Sequence, residues 1–232
     1  MSTIERQEPV TVPPLIAGER LDQATFHERY EAMPPQTRAE LIGGVVHMPS
    51  PLSKDHAFTN APVVIWLGHY QRSTKGVRTA LNGSVFLDNR AETQPDVLMI
   101  IRPELGGRTG QEQRYFVGGP ELVVEIARSS RRIDLGPKYR DYERAGVLEY
   151  LVVALDPDEI HWFVRRGDRL ERLSPGPDGL YRSEVFPGLW LDPQALFAED
   201  LDAITTTLDL GLATPEHAAF VARLAQAGRR DA

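Results

Sequence analysis

The segment ELVVEIA, residues 121–127, is the feature that most constrains how this chain can fold. The leucine, valines and isoleucine around Glu125 form a short continuous apolar run, which is typical of a strand buried on both faces of a sheet. Glu125 lies inside that run. An unpaired ionised carboxylate in an apolar interior is costly, so Glu125 requires a cation, a hydrogen-bond network or a cleft.

Strands are predicted on both sides of a central helix. PDVLMII precedes ELVVEIA, EYLVVALDP follows it, and LGPKYRDYERA between the last two has the composition of a helix. Asp134 is the predicted N-cap of that helix, Pro137 is tolerated in its first turn, and Gly146 stands at the expected C′ position. Strands before and after a central helix indicate a mixed α/β or α+β domain.

Local signals predict three further elements near the N-terminus. Asp22 is a possible N-cap for a short helix over DQATFHERYEAM, and Gly43-Gly44 between two extended runs indicates a hairpin. Ser53 is expected to open a second helix that bends near Pro62.

The composition divides the chain into three parts. Residues 1–21 contain prolines among polar residues and are predicted to be a flexible lead-in, residues 22–197 form the main domain, and residues 198–232 form a helical C-terminal extension. Phe220, Val221 and Leu224 give this extension an amphipathic surface, for which we predict a role in pairing two copies of the chain.

The overall charge and composition narrow the class of protein. The chain has 232 residues, a net charge of −7, a pI of about 5.4 and no cysteine, so any metal must be held by oxygen or imidazole. We find no apolar stretch near the roughly 18 residues that span a bilayer, and the polar start MSTIERQEPVTVPP does not resemble a signal peptide. We therefore predict a cytoplasmic protein without a membrane partner. The acidic balance argues against broad polyanion binding but allows a local basic patch.

Four charged residues form a candidate site. Asp96 opens one predicted strand and Glu125 lies in the next, so both carboxylates can converge at one end of a sheet if the strands are neighbours. Hard divalent ions such as Mg²⁺ are bound by one or two carboxylates, water and substrate phosphate. Lys138 in the following helix can reach a phosphate or an attacking water, and Glu40 is a fourth candidate from a separate strand. Each residue also has an ordinary structural interpretation as a turn residue or a solvated charge.

The succession QPDVLMII, GGPELVVEIARSS and RRIDLGPKYRDYERAGVLEYLVVALDP resembles the Uma-type endonuclease family, also called domain of unknown function 820. That family is similar to the restriction-endonuclease-like superfamily, whose signature is Pro-Asp, then an acidic residue, any residue and a lysine. The resemblance covers roughly residues 22–197. It implies a central mixed β-sheet flanked by helices, with additional C-terminal strands and a helical appendix.

The resemblance also implies which residues bind metal and act in catalysis. Asp96 and Glu125 match the metal ligands, and Glu40 resembles an additional acidic residue of many such nucleases. The superfamily lysine would fall at residue 127, where this chain has alanine, and Lys138 matches the lysine that the Uma-type pattern supplies from the following helix. The implied cofactor is Mg²⁺, with Mn²⁺ as a substitute.

Several basic residues are candidates for binding the substrate. Residues 128–144 contain six arginines or lysines against three acidic residues, and such a patch can contact nucleic-acid phosphates without reading sequence. The candidate substrate-binding residues are Arg128, Arg131, Arg132 and His56, the last of which matches a family position. A solvated helix with intrahelical ion pairs explains the same basic residues.

Three functions remain open from the sequence. The first is a metal-dependent endonuclease that hydrolyses phosphodiester bonds of duplex DNA, with Glu40, Asp96, Glu125 and Lys138 as catalytic residues. The second is a catalytically silent nuclease fold that serves as a binding or assembly module. The third is a hydrolase that uses the same chemistry on a small phosphodiester.

Overall fold

The computed structural model of the chain describes residues 12–48, 54–112 and 114–229, and describes only the backbone of residues 55–57. Ser53 and most of the expected lead-in therefore lie outside the described residues. Among the described helices, none is long and apolar enough to cross a membrane.

Along the described chain, runs of consecutive strands are separated by helices. The α-helices are α1 (Gln23–Glu31), α2 (Lys54–Ser73), α3 (Arg131–Ile133), α4 (Tyr139–Ala145), α5 (Pro193–Phe197), α6 (Leu201–Leu212) and α7 (Pro215–Ala227). A 3₁₀ turn covers Pro103–Leu105, and a π-helical segment, Asp134–Lys138, joins α3 to α4. The strands are β1 (Glu40–Ile42), β2 (Val45–His47), β3 (Val77–Leu81), β4 (Val85–Asp88), β5 (Ala91–Thr93), β6 (Val97–Ile101), β7 (Gly110–Glu112), β8 (Tyr115–Val117), β9 (Leu122–Ala127), β10 (Glu149–Ala154), β11 (Glu159–Arg166), β12 (Arg169–Leu173), β13 (Tyr181–Arg182) and β14 (Trp190–Leu191).

The described strands form two six-stranded sheets and one small pair. The main sheet has the order β12-β11-β10-β9-β6-β3, and the second sheet has the order β2-β1-β5-β4-β8-β7, while β13 pairs with β14. In the main sheet β9 is parallel to β10, and the other neighbouring strands are antiparallel. The predicted mixed α/β architecture with helices against a central mixed sheet is confirmed.

The register of the main sheet places Asp96 beside Glu125. Val97 in β6 pairs with Val124 in the antiparallel strand β9, so the next residues along the ladder are Asp96 and Glu125. The Asp96 carboxylate also accepts a hydrogen bond of 2.7 Å from the backbone N–H of Ile126. The prediction that these two residues come from neighbouring strands is confirmed.

The main sheet separates two hydrophobic cores. Along β9, Val124 and Ile126 face a core that also contains side chains of α2 and the C-terminal helices. Val123 and Ala127 face the other core, which contains Tyr142 of α4. Because side chains alternate along a strand, Glu125 has the parity of Val123 and faces the α4 side.

Two local predictions near the N-terminus are confirmed. Asp22 caps α1, because its carboxylate accepts a hydrogen bond of 2.8 Å from the N–H of Thr25. Gly43 and Gly44 form the turn between β1 and β2 with positive φ angles of 60° and 79°, which other residues adopt at a cost. Leu15 is also buried, so packed structure begins before residue 22.

The prediction that Asp134 is an N-cap is wrong. Helical structure already begins at Arg131, and the N–H of Asp134 bonds the carbonyl of Ser130 at 3.0 Å. Pro137 has no N–H and its ring crowds an ordinary turn, and the chain here takes the wider π-helical form. Gly146 ends α4 with φ at 83°, as predicted.

The expected amphipathic surface of the C-terminal extension is not exposed. Phe220 and Leu224 of α7 are buried with exposed fractions of 1% and 2%, and they belong to the core that covers one face of the main sheet. Ile204 and Leu208 of α6 contribute to the same core. Phe220 and Leu224 are covered by the chain itself, so they cannot form a surface for pairing, and Val221, the third predicted residue, is half-buried.

Candidate active site

Three sequence-predicted residues meet at one point between the two sheets. Lys138 ends the π-helical segment, and its Nζ lies 2.8 Å from Oε1 of Glu125 and 3.0 Å from Oε1 of Glu40. Glu40 begins β1 in the second sheet, and Glu125 lies in β9 of the main sheet. Asp134 adds a third carboxylate, with its Oδ1 3.8 Å from the same Nζ. One ammonium thus links carboxylates from both sheets and from its own helix.

Glu125 has a second donor on the oxygen that binds Lys138. The hydroxyl of Tyr142 donates to Oε1 of Glu125 at 2.8 Å and lies 3.3 Å from the hydroxyl oxygen of Thr93. Tyr142 is fully buried, and Glu125 and Lys138 are each 4% exposed. The carboxylate in the middle of an apolar strand is therefore accommodated by an ammonium and a phenol.

Glu40 is held by the residue before the Pro-Asp pair. The backbone N–H of Gln94 donates to Oε1 of Glu40 at 2.7 Å. The side-chain amide of Gln94 in turn donates to the hydroxyl of Tyr30 at 2.7 Å and to that of Ser84 at 3.3 Å. Helix α1 and strand β1 are therefore both connected to the chain segment that delivers Asp96.

The electrostatics of the cluster keep Lys138 charged. Burial alone would lower the pKa of Lys138, but the carboxylates of Glu125, Glu40 and Asp134 outweigh it and raise that pKa well above its ordinary value. The lysine therefore remains an ammonium at neutral pH and cannot accept a proton from water in this arrangement. A lysine held in its charged form is suited to stabilising negative charge on a phosphate.

The carboxylates around Lys138 outnumber the single positive charge that it provides. Burial raises the pKa of Glu125 well above its ordinary value; Lys138 lowers it, but Asp134, Asp96 and Glu40 raise it further. Burial likewise raises the pKa of Asp134, against the influence of Lys138. Several carboxylates around one ammonium favour either bound protons or an additional cation.

The donor chemistry fits a hard divalent ion. Glu40, Asp96 and Glu125 offer carboxylate oxygens, which Mg²⁺ and Mn²⁺ prefer. Within the described part of the chain, however, no three histidine, aspartate or glutamate side chains are arranged as a ready metal-binding group. Lys138 lies between two of the carboxylates and bonds both. An ion that used these carboxylates would therefore lie beside the ammonium.

Arg131, one of the predicted substrate-binding residues, binds partners outside the cluster. Arg131 forms an ion pair with Glu159 and lies 3.3 Å from Nε2 of His161, at the β11 side of the sheet. Arg128 and Arg132 are exposed in the segment that follows β9. His56 lies in α2, but its side chain falls outside the description.

Sequence reasoning missed three residues of the cluster. The sequence assigns no role to Tyr142 or Gln94, and it predicts Asp134 only as a helix cap. The spacing of Lys138 and Tyr142 on one helical face was a usable signal for Tyr142. Nothing in the sequence indicated that the N–H of Gln94 would hold Glu40, since that contact depends on how the two sheets meet.

Comparisons with known proteins identify the relatives of the chain. Residues 25–194 match the Uma2 family, described as putative restriction endonuclease. No curated protein matches the chain. A crystal structure of a putative nuclease of domain of unknown function 820 from Anabaena variabilis is similar with a TM-score of 0.58 and 15% identity, covering 74% of this chain and 96% of that one. That likeness shows a common fold, and the predicted resemblance is confirmed. Because the family match covers most of the chain, the chain belongs to the Uma2 family of putative restriction endonucleases.

Proposed function

We propose that the protein is a metal-dependent DNA endonuclease whose active site is the cluster around Lys138. The observation that carries this proposal is the contact of Lys138 Nζ with Glu125 at 2.8 Å and Glu40 at 3.0 Å. Lys138 thereby brings to the strand carboxylate the positive charge that Ala127 lacks. Membership of a family described as putative restriction endonuclease supports the same reaction class.

In this proposal Asp96, Glu125 and Glu40 would hold Mg²⁺, or Mn²⁺ in its place. When bound, such an ion supplies Lewis-acid stabilisation of the phosphate and makes an attacking water more acidic. Lys138 keeps its proton and places a fixed positive charge where negative charge develops on the phosphoryl oxygens. Glu40 and Glu125 orient that ammonium through their hydrogen bonds.

Duplex DNA is the proposed substrate. Arg128 and Arg132 are exposed just after β9, close in sequence to Glu125, and can contact backbone phosphates, with binding that weakens as salt increases. His56 remains a candidate contact. Nucleases with one site per chain commonly cut both strands as a pair, and we propose that two copies of this chain associate through a surface other than Phe220 and Leu224.

Plasmid cleavage tests this function. Purified protein is incubated with supercoiled plasmid and Mg²⁺ or Mn²⁺, beside Asp96→Ala, Glu125→Gln and the control Glu104→Gln, whose carboxylate is an exposed partner of Arg102. Wild type and the control should nick or linearise the plasmid, and the two site variants should be slower by roughly 10²-fold or more. Equal cleavage by Glu125→Gln would place the activity elsewhere. Hydrolysis of bis(p-nitrophenyl) phosphate without plasmid cleavage would favour a small-phosphodiester hydrolase.

A further inference from the structure

We propose that Tyr142 is a positioning residue for Glu125, which fixes the orientation of this carboxylate toward a divalent cation. The inference rests on the proposed function and adds a residue to it. Tyr142 is fully buried, so it acts through Glu125 and does not touch the substrate.

The contacts define the role. The Tyr142 hydroxyl donates to Oε1 of Glu125 at 2.8 Å, and Lys138 Nζ approaches the same oxygen at 2.8 Å. Because Oε1 of Glu125 already accepts from two donors, Oε2 is the oxygen that would coordinate a cation. The terminal torsion of a glutamate is broad when nothing holds it, so these two contacts determine how the carboxylate is presented.

The two donors differ in charge, which gives Tyr142 a separate task. The Lys138 ammonium orients Glu125 but also repels a second cation at the same carboxylate. The Tyr142 phenol orients the same oxygen with no positive charge, so it supports metal binding without competing. Partners of this kind around metal ligands commonly contribute 10- to 100-fold in metal affinity.

The surroundings of Tyr142 hold its hydroxyl in place. Its ring packs against Tyr150 with the centroids 4.8 Å apart, and its oxygen lies 3.3 Å from Oγ1 of Thr93. Tyr150 offers a matched control, because it is equally buried but its hydroxyl donates to the backbone carbonyl of Asp134 at 3.1 Å. Removing either hydroxyl creates a similar defect in the core, and only one of them touches a proposed metal ligand.

The experiment measures Mn²⁺ affinity by calorimetry without DNA for wild type, Tyr142→Phe, Tyr150→Phe and Glu125→Gln. Tyr142→Phe should bind Mn²⁺ roughly 10- to 100-fold more weakly than wild type, and Tyr150→Phe should stay close to wild type. High Mn²⁺ should restore most of the plasmid cleavage by Tyr142→Phe but not by Glu125→Gln. Thr93→Val, which keeps the Tyr142 ring, should weaken Mn²⁺ binding in the same direction.

The outcomes separate this inference from the function on which it rests. Wild-type affinity in both Tyr142→Phe and Thr93→Val, or an equal loss in Tyr150→Phe, overturns the positioning role while the metal site stands. Absence of Mn²⁺ binding by wild type, or undiminished binding by Glu125→Gln, overturns both the metal role of Glu125 and the inference.

Discussion

At the scale of single residues, Lys138 is a buried charged side chain that lies among several carboxylates. It is 4% exposed, yet it keeps its charge because carboxylates from β1, β9 and its own helix surround the amino group. Its long side chain places a positive charge at the carboxylate of Glu125, although residue 127, where the resemblance implies a lysine, is alanine. The same contacts make the ammonium a competitor for any cation that uses Glu40 and Glu125.

Lys138→Met separates these two effects. Plasmid cleavage under single-turnover conditions should fall roughly 10²-fold or more, because the charge that stabilises the phosphate is lost. Mn²⁺ affinity at pH 8 should rise, because the ammonium that repels the ion is gone. The variant will be less stable, since buried carboxylates lose their partner, so both proteins are compared at a temperature where each is folded. Lys75→Met, which changes an exposed lysine, is the control. If Lys138→Met cleaves the plasmid as fast as wild type, Lys138 has no role in the mechanism.

At the scale of elements, the helix from Arg131 to Ala145 fixes the β1–β2 hairpin. The Asp141 carboxylate on α4 accepts a hydrogen bond of 2.7 Å from the N–H of Gly43 in the hairpin turn, and another of 2.7 Å from Arg144. The helix that delivers Lys138 is thereby attached to the hairpin that delivers Glu40. The relative position of these two side chains depends on that attachment.

Asp141→Ala should loosen the hairpin. Loss of a buried acceptor for the Gly43 N–H should lower the free energy of unfolding by about 1–3 kcal/mol, the usual effect of removing one partner of a charged hydrogen bond. Urea denaturation measures this, and hydrogen exchange at Gly43 and Gly44 should accelerate. Arg140→Ala, which changes an exposed residue of the same helix, is the control. A change below about 0.5 kcal/mol would show that the hairpin is held by other contacts.

At the scale of the whole molecule, Glu149 connects the main sheet to the C-terminal part of the chain. This first residue of β10 accepts hydrogen bonds from the Ser183 hydroxyl at 2.7 Å, the Glu184 N–H at 2.7 Å and the Val185 N–H at 3.2 Å. Phe186, next along the chain, packs its ring against those of Tyr70 and Phe220. Burial raises the pKa of Glu149 from 4.5 to about 7, although the three donors lower it.

The stability of the molecule should therefore depend on pH through Glu149. Below pH 4.5 the carboxyl is protonated in both states, and between pH 4.5 and 7 only the folded state retains the proton. Stability thus falls as pH rises through this window, by on the order of 3 kcal/mol in total. Urea denaturation of wild type and Glu149→Gln from pH 5 to pH 8 measures the free energy of unfolding of each protein. The difference between the two curves reports on Glu149, because the other titrating groups contribute equally to both. Parallel pH profiles for the two proteins would contradict the shifted pKa.

The sequence by itself determined several local elements and the residue types of the candidate site. The continuous apolar run around Glu125 predicts a strand buried on both faces, and β9 is buried throughout. Asp22, Gly43 and Gly146 mark a cap, a turn and a helix end, because each depends on backbone geometry within a few residues. The acidic residues and Lys138 were recognisable from their types and from the resemblance to the family.

Only the tertiary structure decided which groups meet. Gly43 and Asp141 are 98 residues apart, and their contact, like that of Glu40 with Lys138, exists only because the second sheet packs against α4. Tyr142 became a partner of Glu125, and Asp134 a buried member of the cluster, because the helix begins early and widens at Pro137. Phe220 and Leu224 became core residues because the main sheet offered them an apolar face. An amphipathic pattern shows that a face will be covered, but the covering surface is set by contacts distant in sequence.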